Sequence, residues 1–309
     1  MLYQTPLPLA DMTYRFELRH LRAFLALADE LHFGRAAERL FVTQPALTQA
    51  IQQLEDALGL RLFVRSTRAV ALSPEGLRLL PHAKASVDSV NRIGLEVDRL
   101  GREKGGQLKV GSQLGTGLLL VPTVVREFEA TYPQYTVVIS DYDFSEPASG
   151  LDVGKSDIAF VRPPVGLEHI DVLTLYQEAR LACVPHGHPL SQKACVSIGE
   201  ILAEPIIAAP TPGVWRDYWL LNEYRSEPAN VVLEASTFES ELQAVAAGRG
   251  IIVTCEASRK FYSRPSVHFV DIEGLSPCDV AIAWPRNSTH PAIEPFLSIV
   301  SEYMTKVDT

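Results

Sequence analysis

Glutamine and threonine side chains dominate one short segment of the chain, FVTQPALTQAIQQLEDALG at residues 41–59. The segment contains four glutamines and two threonines but no lysine or arginine. Glutamine can form two hydrogen bonds to adenine in the major groove of DNA, and threonine can bond to several bases or contact the methyl group of thymine. These residue types therefore predict a helix that reads base edges.

Positive charge flanks this segment. Arg35 and Arg39 precede it, and residues 60–78 contain four arginines against one acid, Glu75. Phosphate contacts mainly position a protein on DNA, whereas base contacts determine the sequence it prefers. We therefore expect the flanking arginines to bind phosphates and the neutral residues between them to contact bases. The alternative is a generic three-helix domain with a solvated glutamine face. The predicted DNA contacts are Arg35, Thr43, Gln44, Pro45, Thr48, Gln49, Gln52, Arg65, Thr67 and Arg68.

The apolar pattern predicts the elements that would hold this face. Apolar residues at helical spacing predict a first helix from residue 18 and a second over 34–41, followed by a short turn. Thr43 is placed to cap the third helix, Pro45 lies in its first turn, and Gly59 ends it. Short apolar strands at 62–64 and 70–72 enclose a basic tip. We therefore predict a winged helix-turn-helix domain over residues 17–75.

Residues 76–104 are predicted to form a linker helix and a hinge. Leu80, Val87, Val90 and Val97 follow a seven-residue repeat, which is typical of a helix that pairs with a second copy. Packing against the same chain is the alternative interpretation. Glycines at 101, 105 and 106 indicate the hinge. Residues 1–16 are expected to form a flexible extension.

From residue 105 strands and helices alternate, which predicts an α/β domain with a mostly parallel sheet covered by helices. The length of about 200 residues favours two linked subdomains with a cleft. Ligands of such sheets bind beyond the carboxyl ends of strands, often at helix N-termini. That rule selects as ligand-binding candidates Ser112, Gln113, Asp141, Tyr142, Phe160, Arg162, Thr211, Trp215, Thr237 and Phe238.

Arg162 is the best single candidate because it follows an apolar strand at 158–161, where its cation would face the cleft. A desolvated arginine requires an anion, either Asp141 or the carboxylate of a small organic acid. Ser112, Thr211 and Thr237 could equally be helix caps. Trp215 could equally belong to a core or a subunit interface.

Composition and the motifs that are missing limit the functional classes to which the protein could belong. The net charge is −9, yet residues 1–100 carry 12 basic and 11 acidic residues, so the negative charge lies in the remainder. The chain has no apolar run of 18 residues and no signal-peptide pattern, which predicts a cytoplasmic protein with no membrane partner. Without GxSxG, GxGxxG, Walker or HExxH motifs, we expect no enzyme, no cofactor and no metal site. An α/β small-molecule-binding protein or enzyme without DNA function is the less favoured class.

Four cysteines, Cys183, Cys195, Cys255 and Cys278, lie far apart in the sequence, and no CxxC pair occurs. Buried, reduced thiols are the main interpretation. A redox-sensing pair of Cys183 and Cys195 is the alternative.

The segment from Leu21 to Gly76 resembles the N-terminal domain of LysR-type transcriptional regulators, and the resemblance covers nearly all of the chain from about residue 17. It rests on Ala36-Ala37, Thr43-Gln44-Pro45-Ala46, Leu54-Glu55, Leu58-Gly59 and Leu62-Phe63-Val64-Arg65. One departure is that Gln49 and Gln52 stand where family members often carry basic residues.

The resemblance implies a bacterial regulator that binds double-stranded operator DNA, forms a homodimer or homotetramer through its linker helix, and contacts RNA polymerase. It also implies an effector module of the type II periplasmic-binding-protein-like fold, with subdomain I at about 106–177 and 271–309 and subdomain II at about 178–270. An arginine at the place of Arg162 is known in family members that sense aromatic carboxylates. We therefore expect a small organic acid, aromatic acids included, as effector.

Overall fold

The structure is a computed structural model that describes residues 16–65, 70–113 and 115–307. The predicted N-terminal extension lies outside the described residues except for Phe16. The chain forms two compact units, Met1–Gly94 and Leu95–Thr309. Among the described residues, none of the helices is long and apolar enough to span a membrane.

The first unit is built from three short helices, a two-stranded hairpin and the start of a long helix. Their bounds are α1 Leu18–Glu30, α2 Phe33–Arg39, α3 Gln44–Leu58, β1 Phe63–Arg65, β2 Val70–Leu72 and α4 Pro74–Lys104. The Thr43 side chain accepts a hydrogen bond from the Ala46 N–H, and Gly59 ends α3 in a left-handed conformation at φ 65°. Both predicted helix signals of α3 are therefore used.

A buried carboxylate joins α3 to the hairpin. Glu55 is 2 % exposed, and its Oε1 accepts hydrogen bonds from the N–H groups of Leu62 at 2.8 Å and Phe63 at 3.2 Å. Its Oε2 lies 3.0 Å from Arg61 Nη1. These contacts satisfy two backbone N–H donors at the start of β1 and thereby hold the hairpin in place against α3.

The long helix α4 uses its apolar stripe in two ways. Val87 is buried, and Leu80 packs with it against the core formed by α1 and α3. These two residues, predicted for the dimer seam, therefore pack against their own chain, because the first half of α4 covers the helical core. Val90 and Val97 are exposed, as are Ile93 and Leu100 at the matching spacing.

The second unit begins with a five-stranded sheet. Its elements are β3 Gln107–Gln113, α5 Leu120–Thr131, β4 Thr136–Tyr142, β5 Ile158–Val161, β6 Ile170–Glu178, β13 Cys278–Pro285 and the final helix α10 Ile293–Val307. The strand order is β4-β3-β5-β13-β6, with β3 parallel to β4 and β5 but β13 antiparallel to both of its neighbours. Helices α5 and α10 cover one face through Phe128 and Phe296, whose rings lie 5.2 Å apart.

A four-stranded sheet and a two-stranded sheet form the rest of the unit. Their elements are β7 Arg180–Pro185, β8 Cys195–Ser197, α6 Ile198–Leu202, β9 Ile206–Ala208, α7 Val214–Trp219, β10 Val231–Glu234, α8 Phe238–Ala246, β11 Ile252–Cys255, α9 Glu256–Phe261 and β12 Val267–Glu273. The order of the larger sheet is β11-β7-β12-β8, and β9 pairs with β10 in parallel.

Two expectations about this unit need correction. The larger sheets are mixed rather than mostly parallel, because the chain returns from the second sheet through β13 against the direction of β5, and β7 runs antiparallel to β11 and β12. Residues 271–273 belong to β12 and pair with β8 in the second sheet, although we assigned them to subdomain I. The chain passes between the sheets at residue 179 and again between 273 and 278.

Replacing Glu55 by alanine should destabilise the first unit, because it leaves the N–H groups of Leu62 and Phe63 without their buried acceptor. Each such loss costs roughly 1–3 kcal/mol. We expect a clearly lower Tm for the full chain by circular dichroism at the helical minimum. Glu38→Ala, an exposed change on α2, is the control and should leave the Tm nearly unchanged. An unchanged Tm in Glu55→Ala would show that this carboxylate does not hold the hairpin.

Candidate functional site

One exposed face of α3 collects most of the residues predicted to read bases. Gln44, Pro45, Thr48, Gln49 and Gln52 together line a shallow surface depression. Thr48 donates its hydroxyl to the Gln44 carbonyl oxygen at 2.9 Å, which restrains its side chain. Thr43 caps the same helix. The face offers amide donors and acceptors, the groups that direct base readout requires.

The arginines near this face are partly neutralised by the chain itself. Arg35 donates to the Glu30 carboxylate at 3.1 Å and to the Glu30 carbonyl oxygen at 2.6 Å, and Arg39 pairs with Asp29 at 3.0 Å. Exchange of such exposed carboxylates for phosphates costs little, since exposed pairs contribute at most about 1 kcal/mol. Arg65 ends β1, while its side chain and the predicted contacts Thr67 and Arg68 lie outside the described residues.

The second unit contains a cavity of about 50 Å³. One water needs roughly 10–15 Å³, so the space suits a few waters or a small ligand. The lining is mostly apolar and aromatic, with a few polar groups. It includes Gln113, Phe144, Arg162, Trp215, Arg216, Trp219, Phe238, Glu241, Cys255, Ser258 and Tyr262.

Three buried N–H donors around this cavity have no hydrogen-bond acceptor within the described part of the chain. They are Gln113 Nε2, Trp215 Nε1 and Trp219 Nε1. Buried polar groups are normally paired, and an unpaired donor costs roughly 1–3 kcal/mol. Three such donors at one cavity therefore indicate a place for a ligand that carries acceptor oxygens.

Arg162 lies at the cavity but is already paired. Its side chain is 5 % exposed, and Nη2 lies 2.9 Å from Glu178 Oε2. The guanidinium also donates to the Gly115 carbonyl oxygen at 3.3 Å and to Cys278 Sγ at 3.6 Å. The protein counter-ion is thus Glu178 and not Asp141, which is exposed and lies opposite Ser112 on the neighbouring strand.

The cavity brings together four of the ten predicted ligand-binding residues, namely Gln113, Arg162, Trp215 and Phe238. The other six do not line it. Phe160 is in the core beneath α5 and α10, the Tyr142 hydroxyl accepts from Ser156, and the Ser112 hydroxyl donates to backbone carbonyls. Thr237 caps α8, as its structural alternative predicted. The Thr211 hydroxyl donates to the Ser145 carbonyl oxygen, and Asp141 is exposed.

Several lining residues escaped the sequence analysis. Phe144, Trp219 and Tyr262 lie in loops or at helix ends that the strand-end rule did not select. Cys255 ends β11, so the same rule would have found it had the segment 250–255 been included. Glu241 lies one helical turn after Thr237, and burial raises its pKa well above the ordinary carboxyl value. It therefore favours the neutral form at the cavity wall.

The proposed redox pair of Cys183 and Cys195 is separated by a whole strand. Cys183 lies on β7 opposite Phe269 and Cys195 on β8 opposite Asp271, with β12 between them. Two strand spacings come to roughly 9–10 Å. A disulfide requires Cα atoms within about 7 Å, so this pair cannot close in this fold. Burial also raises the pKa of Cys183 to about 12, which disfavours the reactive thiolate.

Comparison with known proteins agrees with both units. Residues 18–77 match the bacterial regulatory helix-turn-helix protein, lysR family, and residues 101–305 match the LysR substrate binding domain. The chain belongs to the LysR family of transcriptional regulators. It is 29% identical over 294 residues to the regulator AlsR of Bacillus subtilis, covering 94% of this chain and 97% of that protein.

Solved structures of full-length family members share the fold of this LysR regulator. Full-length OxyR from Pseudomonas aeruginosa, a cysteine-to-aspartate variant, is 27% identical with a TM-score of 0.51, covering 92% of this chain and 99% of that one. CbnR, solved as a complex with its target DNA, is 22% identical with a TM-score of 0.50, covering 94% of this chain and 100% of that one.

Arg162→Ala should destabilise this LysR regulator before any effector is added, because it leaves the Glu178 carboxylate without its buried counter-charge. Breaking a buried pair costs roughly 3–5 kcal/mol. For a unit of about 200 residues, that is a drop in Tm on the order of 10 °C. Arg286→Ala removes an exposed pair with Asp171 and is the matched control, with a change of at most a few degrees. Equal melting of the two variants would contradict a structural role for Arg162.

Proposed function

We propose that this LysR-type regulator reads operator DNA with the exposed face of α3 and changes its activity when a small organic acid enters the cavity of the second unit. The observation that carries the effector half is the set of three unpaired N–H donors at one cavity. We further infer a homodimer or homotetramer paired along α4, contact with RNA polymerase, and no catalytic activity. The exposed residues Val90, Ile93, Val97 and Leu100 support the pairing.

The proposal that α3 reads DNA is supported by the positions of its glutamine amides and of the nearby arginines, which lie in different places. Gln49 and Gln52 are exposed on the α3 face, and neither carries charge. Arg35 lies on α2, outside the depression that these amides line. The amides would therefore set which sequence is bound, and the arginines would set how strongly any duplex is held.

Changing Gln49 to alanine should alter sequence preference while keeping the salt dependence of binding. A lost bidentate contact is worth roughly 1–3 kcal/mol at one base pair. Arg35→Ala is the matched control with the opposite expected result. It should lower the slope of log affinity against log salt by about 0.9 per phosphate contact and leave the sequence preference unchanged. Operators would first be selected from random duplexes with the parent chain, and both variants titrated on them. If Gln49→Ala and Gln52→Ala select the parent's sequences at parent affinity, α3 is not the reader.

The effector half predicts a ligand with a flat apolar body and a carboxylate. Phe144, Trp215 and Phe238 supply the apolar wall, and Gln113 and the two indoles supply donors. Arg162 is already balanced by Glu178, and Arg216 by Glu234 at 2.6 Å. The acid would therefore be bound chiefly by neutral N–H groups, with the arginine at the cavity edge adding electrostatic attraction.

A panel of small carboxylic acids that includes benzoate should contain compounds that raise the Tm of the full chain. A ligand at 100 times its Kd adds roughly 2.7 kcal/mol of stability. Each acid would be tested beside its primary alcohol, which lacks the carboxylate. Trp215→Phe keeps an aromatic side chain but removes the indole N–H donor, and should weaken binding about tenfold or more. Trp284→Phe, at the only tryptophan outside the cavity, is the control. An equal response in both variants would exclude this cavity as the effector site.

A further inference from the structure

Two cysteines meet at the point where the chain crosses between the two larger sheets of the second unit. Cys255 ends β11 opposite Arg180, and Cys278 begins β13 opposite Glu178. Residues 178 and 180 flank Ala179, the residue that joins β6 to β7. Cys255 and Cys278 share one buried cluster with Ala257, against which Trp219 packs. Distant in sequence, they are thus neighbours across the junction of the sheets.

The two thiols lie in one buried cluster, with a cation beside them. Arg162 Nη1 lies 3.6 Å from Cys278 Sγ, and Ser258 Oγ lies 3.8 Å from Cys255 Sγ. The proximity of Cys278 and the charge of Arg162 lower the pKa of Cys255, while burial and the Glu178 carboxylate oppose them. The proximity of Cys255 and burial raise the pKa of Cys278. Arg162 therefore places a positive charge beside the pair, which favours a thiolate at this junction.

The cavity gives a small oxidant access to the first thiol. Cys255 is among its lining residues, whereas Cys278 is fully buried behind it. The open space of about 50 Å³ admits a molecule the size of hydrogen peroxide. Reactive cysteines require such an electropositive, accessible setting, and Cys183 is buried and is not among the lining residues of the cavity.

We propose that Cys255 and Cys278 form a peroxide-reactive dithiol. The Cys255 thiolate attacks one oxygen of hydrogen peroxide, the O–O bond breaks, and with one proton taken up the products are Cys255 sulfenic acid and water. The Cys278 sulfur then attacks the Cys255 sulfur, the S–OH bond breaks, and the hydroxide leaves as water with the Cys278 proton. In total two thiols are oxidised to a disulfide and one peroxide is reduced to two waters.

The new bond would join β11 of one sheet to β13 of the other. It would also move Cys278 Sγ relative to Arg162, whose guanidinium contacts both that sulfur and Glu178. Oxidation would thus act on the junction that sets the relation of the two sheets. This inference goes beyond the proposed function and does not depend on any effector acid.

The test uses the full chain and peptide mapping. The reduced protein would be exposed to hydrogen peroxide, quenched, denatured and alkylated with N-ethylmaleimide before digestion. We expect a disulfide-linked peptide pair that contains Cys255 and Cys278, loss of both thiols from alkylation, and full recovery with dithiothreitol. The same linkage should form in the Cys183→Ser/Cys195→Ser chain, which keeps only this pair. No variant at the pair is needed for this result, so misfolding cannot imitate it.

Single variants separate the two roles. In that background, Cys278→Ser should stop at a Cys255 sulfenic acid that dimedone labels, and Cys255→Ser should leave Cys278 as a free thiol. In the parent chain, free Cys255 and Cys278 after peroxide treatment that fully oxidises exposed Cys195 would overturn the proposal, as would a linkage between other cysteines. Because neither operator nor effector is present, failure here would leave the proposed function intact. Failure of the acid screen would likewise leave this linkage intact.

Discussion

Two buried arginines hold the place where the second unit passes from one sheet to the other. Arg162 is paired with Glu178 at the end of β6, and Arg180, the first residue of β7, has a fully buried side chain. The Arg180 guanidinium donates to the Ser276 carbonyl oxygen at 2.8 Å and lies 4.2 Å above the Tyr218 ring. Removal of either cation would leave buried acceptors unpaired. The arrangement of the two sheets relative to each other therefore depends on these contacts.

This arrangement bears on which ligands the cavity could bind. Since Arg162 and Arg216 already have carboxylate partners and Glu241 favours its neutral form, the wall carries little uncompensated charge. A ligand can change the balance between two states only through a difference in its affinity for them. In this cavity that difference in affinity would come from the N–H donors that lack acceptors and from the Arg162–Glu178 ion pair. The positions of both depend on how the two sheets are arranged.

The structural features that could be predicted from the sequence are those determined by residues close together along the chain. Thr43 and Gly59 bound α3 because capping needs only local residues, and the Arg162 strand was found from its apolar run. The partner of Arg162 could not be found this way. Glu178 reaches it because β13 lies between β5 and β6, a register that no local pattern specifies. The heptad stripe of α4 likewise could not tell that Val87 packs inward while Val97 is exposed.

The charge distribution places a further constraint on how such a chain holds DNA. Residues 1–100 are nearly neutral, and the remainder is acidic, so long-range attraction to a duplex is weak. Among the described arginines, Arg35, Arg39 and Arg61 already contact Glu30, Asp29 and Glu55, respectively. Non-specific affinity comes mainly from released counter-ions, which requires cations that reach phosphates. If α3 reads bases as proposed, its uncharged face would supply sequence preference, and these arginines would supply affinity by exchanging their carboxylate partners for phosphates.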